Sequence, residues 1–485
     1  MKKGAEKSAI TRRTLIKGGL SALAVTATSL ESALGFASEP IPRWAVCETA
    51  RDNGHRLSPI DAPLPTQARP TIEVSADKLG PPVIGFGGAL TESAAHVLAQ
   101  LPKDKRAQVL RSYYDPRDGI GYTLARTHMT SCDFSLKSWS LDDAADDRSL
   151  KKFSLTPMKG EQLPLIRDVQ KLVGKDRFKL VASPWSPPAW MKTNGEMIHG
   201  GQLREDAKSA WADYYVRFVK AMRDDEKIPV WALTVQNEPD AAQAWESCLY
   251  SARDERDFIA EVLGPALETA RLSDVKLFGW DHNRSGLEER AVVMLGNPDS
   301  AKYLAGLALH WYQQEDFAAS SRVLKRFPNT QILFTEGCVE GGPHLDEWEP
   351  AERYARNMIG DFSNGVCGFI DWNIALDTQG GPNHVGNFCH APVLVDTKSG
   401  DVRVQPSFYY IAHFSKIVQA GARRLASTSE DNSVQHIAFA NPDGSRVIMI
   451  ANPGDVPRDI TIAVDNESHA AQLPPHAIQT HVVTG

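Results

Sequence analysis

The sequence predicts an α/β protein, a (β/α)8 TIM barrel with a side β-sandwich. Three observations predict it. Eight short apolar runs recur between residues 81 and 373, each ending in polar or aromatic residues. Stretches with helical spacing separate them. Past residue 420 the rhythm changes to short strands broken by Pro, Asp and Gly turns. Continuous apolar strands alternating with helices read as a parallel sheet covered on its outside, and eight such units can close on themselves.

The chain has 485 residues, 42% hydrophobic and 23% charged, the balance of an ordinary globular protein. At this length it holds two or three domains, or one large barrel with an accessory module. Its first residues read as an export signal. Paired Arg12 and Arg13 in "TRRTLIKGG" precede a mildly apolar run, the pattern of a bacterial twin-arginine signal, with cleavage expected after Ala37. The mature protein is then expected in the periplasm or outside the cell. Losing residues 1–37 removes six basic and two acidic residues, which moves the formal charge from −7 to −11. So acidic a chain has no electrostatic footprint for nucleic acid. No later run reaches the ~20 apolar residues that span a membrane, so stable membrane insertion is not expected. The six cysteines include no CxxC pair, which argues against a structural zinc. Their pairing and the oligomeric state are not readable.

Residues 38–80 form an N-terminal segment. Its first part, to about residue 70, is rich in Pro and polar residues and reads as an extended lead-in. The stretch "TIEVSADKLG" is expected to join the C-terminal module as a strand. The barrel occupies 81–420. Its eight runs are 81–89, 121–129, 178–185, 230–239, 275–283, 304–312, 330–337 and 366–373. Between them, 209–225 and 251–270 space their apolar residues at three and four, as one helix face requires. Ser251 and Glu255 mark the start of the second of these helices. An open doubly wound sheet is the alternative, but "GFGGA" lacks the third glycine of a dinucleotide-binding turn. Residues 421–485 form the all-β module. "NPDG" between two alternating runs marks a hairpin. About 60 residues alone would be marginal, so the module is expected to recruit N-terminal strands.

In such a barrel the site lies at the C-terminal ends of the strands. Those ends offer Glu92, Arg126 and His128, Trp185, Asn237 and Glu238, Asp281 and His282, His310 with Trp311 and Tyr312, Glu336, and Trp372 with Asn373. No His, Cys and Asp set has metal-ligand spacing, and no G-x-S-x-G elbow occurs. Two carboxylates joined to strands, with aromatic platforms, are what glycosidic bond cleavage requires. Glu238 ends the fourth strand and Glu336 the seventh, across the barrel mouth.

Ten ordered motifs carry a family resemblance. They are "GFGGALTES", "GIGYTLART", "SCDFS", "ASPWSPPAWMKTNG", "TVQNEP", "LALHWY", "FTEGCVE", "IDWNIAL", "GGPNHVGNF" and "QPSFYYIAHFSK". Together they resemble glycoside hydrolase family 30, which includes the lysosomal acid β-glucosidase that cleaves glucosylceramide. The resemblance covers about residues 80–420 and extends into the β module. It implies a retaining β-glycoside hydrolase, glucosylceramidase-like, without cofactor or metal, acting on a glycolipid or an oligosaccharide. In that pattern Glu238 is the acid/base and Glu336 the nucleophile. Asn237 meets the sugar 2-hydroxyl. Trp185 and Trp372 line the −1 pocket beside His310 and Tyr312, and Arg126 and Asn387 match further site positions. Glu92 stands where the lysosomal enzyme has an Asp that binds sugar hydroxyls. The neighbouring carboxylate is expected to raise the pKa of Glu238 and keep it protonated. Arg126 is expected to keep Glu336 ionised. The loop "QNEPDAAQAWESCLY" is shorter and more polar than the lysosomal enzyme's. It leaves β-1,6-glucanase, β-xylosidase or β-fucosidase activity open within the family. A transglycosylase would share every residue named, and a non-catalytic sugar-binding protein is a remote alternative.

Overall fold

The computed structural model describes residues 43–484 apart from residue 466. The twin-arginine segment lies outside the described residues. Eight parallel strands close a barrel: Gly85–Ala89, Leu124–His128, Lys179–Ser183, Val230–Thr234, Lys276–Asn283, Gly306–His310, Gln331–Glu336 and Gly368–Asn373. All eight fall inside the runs expected from sequence, trimmed at their ends.

The strand alternation sorts side chains into two environments. Leu124, Val181, Ala232, Phe278, Ala308, Leu333 and Ile370 fill the barrel interior as one apolar plug. Their neighbours, such as Leu180, Leu233, Leu309 and Phe334, point out into the core shared with the helices. Such filled layers are what a closed eight-stranded barrel requires, since its interior is only wide enough for side chains. Two residues beyond the plug, the same inward direction carries Arg126, Ser183, Thr234, His310, Thr335 and Trp372. The plug thus supports a polar layer, the floor of the barrel's mouth. Some strand contacts leave no room for a side chain. A Cβ on Gly306 would lie 1.8 Å from the Gln331 carbonyl oxygen, and one on Gly87 2.1 Å from that of Leu124.

The helix expected near 251 begins with Ser251 as its N-cap. The capping box is closed by Asp254 and not by Glu255. Glu255 is buried instead, accepting the Trp280 N–H at 2.8 Å and Arg290 at 2.8 Å, and so braces the fifth strand. The helix Pro406–Ser415 follows the barrel and carries the chain to the β module.

That module is one ten-stranded sheet curled over its own core. Its strands run, in spatial order, Ser58–Ile60, Trp44–Ala50, Ala477–Val483, Arg446–Asn452, Gln435–Ala440, Arg423–Ser429, Ile72–Leu79, Arg458–Val464, Glu467–Leu473 and Leu64–Pro65. Ile72–Leu79 sits between two C-terminal strands, antiparallel to one and parallel to the other. The lead-in reading of residues 38–70 needs correction, because Trp44–Ala50 is a strand paired on both edges with all seven residues buried. Trp44, Val46 and Ala50 enter the module's core. On the other face Cys47 packs into the barrel's shell, and Thr49 meets His413 of the helix Pro406–Ser415. Burial on both faces removes the polar alternation by which a surface strand is recognised. His413 also meets Thr480, at 2.8 Å, and burial alone pulls its imidazole down to about 3. A neutral histidine therefore ties the last barrel helix to the first and last strands of the module. All six cysteines are buried free thiols.

Trp44 stacks on His469 with ring centroids 4.1 Å apart and is 5% exposed. Trp44→Ala is expected to destabilise the folded chain by about 3–5 kcal/mol, the usual cost of deleting a buried Trp. Denaturant unfolding measures this, and an unchanged midpoint would show the N-terminal strand to be dispensable.

Candidate active site

Arg126 is the centre of the polar layer. It is fully buried, and its guanidinium donates to Ser183 Oγ at 3.1 Å, Glu336 Oε2 at 2.5 Å, Asn237 Oδ1 at 2.9 Å and Asp281 Oδ2 at 2.7 Å. Its planar end lies against two rings, 4.8 Å from the Trp185 centroid and 5.5 Å from that of Trp372. Those indoles stack at 5.3 Å and form one wall. A rigid fork of donors meeting several acceptors is a task for Arg rather than Lys.

Three irregularities interrupt the strand pairing around it, and the one at Asp281 re-aims a side chain. Between the fifth and sixth strands Ala308 pairs with Trp280 and Leu309 with His282, so Asp281 is skipped. Thr335 is skipped in the same way between the sixth and seventh, and Trp372 between the eighth and first. Such bulges turn a side chain from its expected face. Asp281 is thereby delivered to the barrel axis, where it accepts from Arg126, Thr234, Thr335 and His310. Asp281 has φ 49° and Glu238 φ 48°, and the Glu238 N–H donates to the Asp281 carbonyl at 3.0 Å. Left-handed backbone at two non-glycine residues costs energy and is held only where the surroundings over-determine it.

His310 is buried between carboxylates. Nε2 lies 3.0 Å from Asp281, and Nδ1 lies 3.3 Å from Glu238 Oε1 and 4.0 Å from Glu336 Oε1. Burial alone would pull its pKa down. Glu336, Asp281 and Glu238 outweigh burial and push it up to about 9. The ring is an imidazolium at neutral pH, with both N–H groups aimed at carboxylates. His282 Nδ1 is 3.5 Å from the same oxygen of Glu238. The expectation that a neighbouring carboxylate raises Glu238 is therefore corrected. Burial pushes that carboxyl up, but the two histidines facing it win and hold it well below the usual range. Glu336 moves the other way. Burial raises it and Glu238 adds to the rise, against His310, Arg126 and the Tyr312 hydroxyl. That hydroxyl donates to Glu336 Oε1 at 2.8 Å.

A cavity of about 690 Å³ opens over this layer, lined by Trp185, Asn237, Glu238, Tyr312, Glu336, Trp372 and Asn387 among others. His310 and Arg126 lie under that lining. Glu92 does not join it. As the first residue of the helix Glu92–Ala99, it points its carboxylate at the Trp139 indole N–H at 2.8 Å and the Leu136 N–H at 3.4 Å. The carboxyl that does face the cavity beside Asn387 is Asp133, which accepts the Asn387 amide at 2.8 Å. Burial, reinforced by Glu336 and Glu238, pushes Asp133 up to about 8. At neutral pH it carries a proton and can donate as well as accept. Asp133 belongs to "SCDFS", but nothing in that motif's sequence marks it as the residue that turns inward. His128 accepts the Glu92 N–H at 3.1 Å and braces the loop. Trp311 donates to the Cys338 carbonyl and packs into the shell.

The cavity therefore presents three carboxyls of different character, Glu238, Glu336 and Asp133, with an indole wall and amide and hydroxyl groups at its base. This arrangement suits recognition of a polyhydroxylated ring and proton transfer beside a nucleophilic carboxylate. The family model described as "Glycosyl hydrolase family 30 TIM-barrel domain" matches residues 83–418, and "Glycosyl hydrolase family 30 beta sandwich domain" matches residues 421–481. The chain is 36% identical over 401 residues to the lysosomal acid glucosylceramidase of Mus musculus, covering 78% of this chain and 77% of that protein. Among solved structures it is similar to SrfJ from Salmonella typhimurium, with TM-score 0.86 and 34% identity over 90% of this chain and 99% of that one. It is also similar to the endo-β1,6-glucanase BT3312, with TM-score 0.81 and 26% identity over 91% and 99%. The chain belongs to glycosyl hydrolase family 30 and is a glycoside hydrolase, a TIM barrel joined to a β sandwich.

Proposed function

We propose that the protein hydrolyses β-glucosides with retention of configuration, by double displacement through Glu336 and Glu238. The observation that carries this reading is their common neighbour. His310 Nδ1 is 3.3 Å from one carboxyl and 4.0 Å from the other, so their nearest oxygens lie within about 7 Å. That bound accommodates the spacing of about 5–5.5 Å at which retaining enzymes hold their two carboxyls.

In the first step Glu336 attacks the anomeric carbon while the leaving oxygen takes a proton from Glu238. Arg126 and Tyr312 hold the attacking carboxylate in line. The free site keeps that proton on His310, so Glu238 and His310 act as a pair sharing one proton across their contact. As negative charge grows on the leaving oxygen, the proton passes from His310 Nδ1 to Glu238 and on to the sugar oxygen. Asp281 steadies His310 through Nε2. Water then attacks the glycosyl ester, and Glu238, ionised again, takes its proton. Asp133 and Asn387 are placed to hold sugar hydroxyls, and Trp185 and Trp372 to stack on the ring.

The leaving-group side decides between two substrates. Its rim carries Asp240, Gln243, Ser285, Glu289, Gln313 and Glu340. So polar a wall offers partners to the hydroxyls of a second sugar and little to a lipid chain. This favours a β-1,6-linked glucan, the substrate class of the endo-β1,6-glucanase BT3312, over glucosylceramide, that of the mouse relative. The twin-arginine pattern of the sequence supports export, so this reading puts the work outside the cytoplasm.

Glu336→Gln is expected to lower turnover of an aryl β-glucoside by about 10⁴–10⁶-fold. Glu238→Gln should lower it about 10²–10⁴-fold, and less with a good leaving group. Near-normal turnover by either variant would refute the assignment. The second prediction concerns pH. The shared proton is lost as pH rises through the value of His310, so the basic limb of kcat/KM should fall near 9. The acid limb should lie above the ordinary carboxyl value, since Glu336 is raised. A basic limb near 6 would place the proton on Glu238 alone. A side-by-side panel of β-1,6-glucan, glucosylceramide, aryl β-xyloside and aryl β-fucoside should show cleavage of the glucan. Cleavage of the lipid alone would reverse the choice of leaving group.

A further inference from the structure

Three potential metal donors converge at the mouth of the barrel from separate strands. They are Glu238 just past the fourth, His282 on the fifth and His310 on the sixth. One atom of each lies within 4.8 Å of the other two, and two of the separations are 3.3 and 3.5 Å. A tetrahedral zinc with bonds of about 2.0–2.1 Å holds its ligand atoms about 3.3 Å apart, so little movement would close the set. Two histidines and a glutamate suit zinc and its neighbours in the transition series. The outer shell is also in place. His310 points its other nitrogen at Asp281 at 3.0 Å, the carboxylate–histidine relation that orients metal-bound imidazoles. Asp281 is itself fixed by Thr234, Thr335 and Arg126. Glu238 and His282 line the cavity, so a fourth position faces solvent. Sequence spacing could not reveal this set, because its members lie 28 to 72 residues apart.

We propose that Glu238, His282 and His310 form an inhibitory site for a divalent transition-metal ion such as zinc. Binding replaces the Nδ1 proton of His310 with the metal and releases that proton to solvent. It also replaces the contact of His282 Nδ1 with the Asn283 amide, which is 3.2 Å long. The metal then occupies both the carboxyl and the imidazolium that supply the leaving-group proton. The site itself stands on geometry, and only the loss of activity rests on the proposed function.

Calorimetric titration of the full chain with zinc chloride, in a buffer that does not chelate, tests the site. Cobalt(II) reports its geometry through the intense visible absorption of four-coordinate ions. One ion per chain is expected, with affinity falling by about 10-fold or more in His282→Asn and, independently, in Glu238→Gln. Wild-type turnover of an aryl β-glucoside should fall with occupancy and return on adding EDTA. No binding at millimolar zinc, or equal binding in both variants, would overturn the site. Binding without loss of turnover would overturn the inhibition and leave the site standing. A chain that binds zinc as expected but never cleaves a glucoside would instead overturn the proposed function.

Discussion

A buried arginine needs buried carboxylates, and much of the barrel's mouth follows from that one requirement. Arg126 stands at the end of an apolar plug with no exposed surface, where an uncompensated charge would cost several kcal/mol. Asp281 and Glu336 balance it from the fifth and seventh strands. A strand of regular alternation could not present Asp281 there, because Phe278 and Trp280 would occupy the inward positions. The bulge changes that, and it gives Asp281 four donors at once. Removing one partner of such a network leaves the others charged and unpaired, typically at about 3–5 kcal/mol. The strain at Asp281 and Glu238 persists against that background.

The network also counts protons. Two cations, Arg126 and His310, face three carboxyls, Asp281, Glu238 and Glu336. The position of His310, between all three acids, explains why its imidazole holds a proton well past neutrality despite complete burial. It also explains why the histidines and not the second glutamate govern Glu238. Carboxyl repulsion acts across the cavity, whereas the imidazolium lies in contact.

The fold was legible because its signals are local and repeated. Eight apolar runs ending in polar residues survive any error at a single boundary, and strand ends in a barrel of this kind point to one place. Glu238, Glu336, Trp185, Trp372 and Asn237 could be collected on that rule. What escaped has one cause in each case. Trp44–Ala50 is buried on both faces, so it shows no alternation. Asp133 lies in a loop beyond its strand, where no periodicity marks which residue turns inward. Glu92 was placed by likeness of position, yet as the first residue of a helix its carboxylate is taken by Trp139 and Leu136. The bulge at Asp281 depends on pairing with a strand some 25 residues away. The protonation pattern depends on three strands together.

Floor and rim obey different constraints, and this bears on how one scaffold can serve several substrates. Each floor residue touches others that are themselves buried and charged, so a change at Arg126, Asp281 or His310 propagates through the whole set. Rim residues such as Gln243, Ser285, Glu289 and Gln313 lie on the segments after the strands, with water as an alternative partner. A substitution there changes what the leaving group meets and leaves the proton count untouched. Substrate choice can therefore drift at the rim while the floor stays fixed. The leaving group is best argued from the rim's own chemistry, and here that chemistry is polar and acidic.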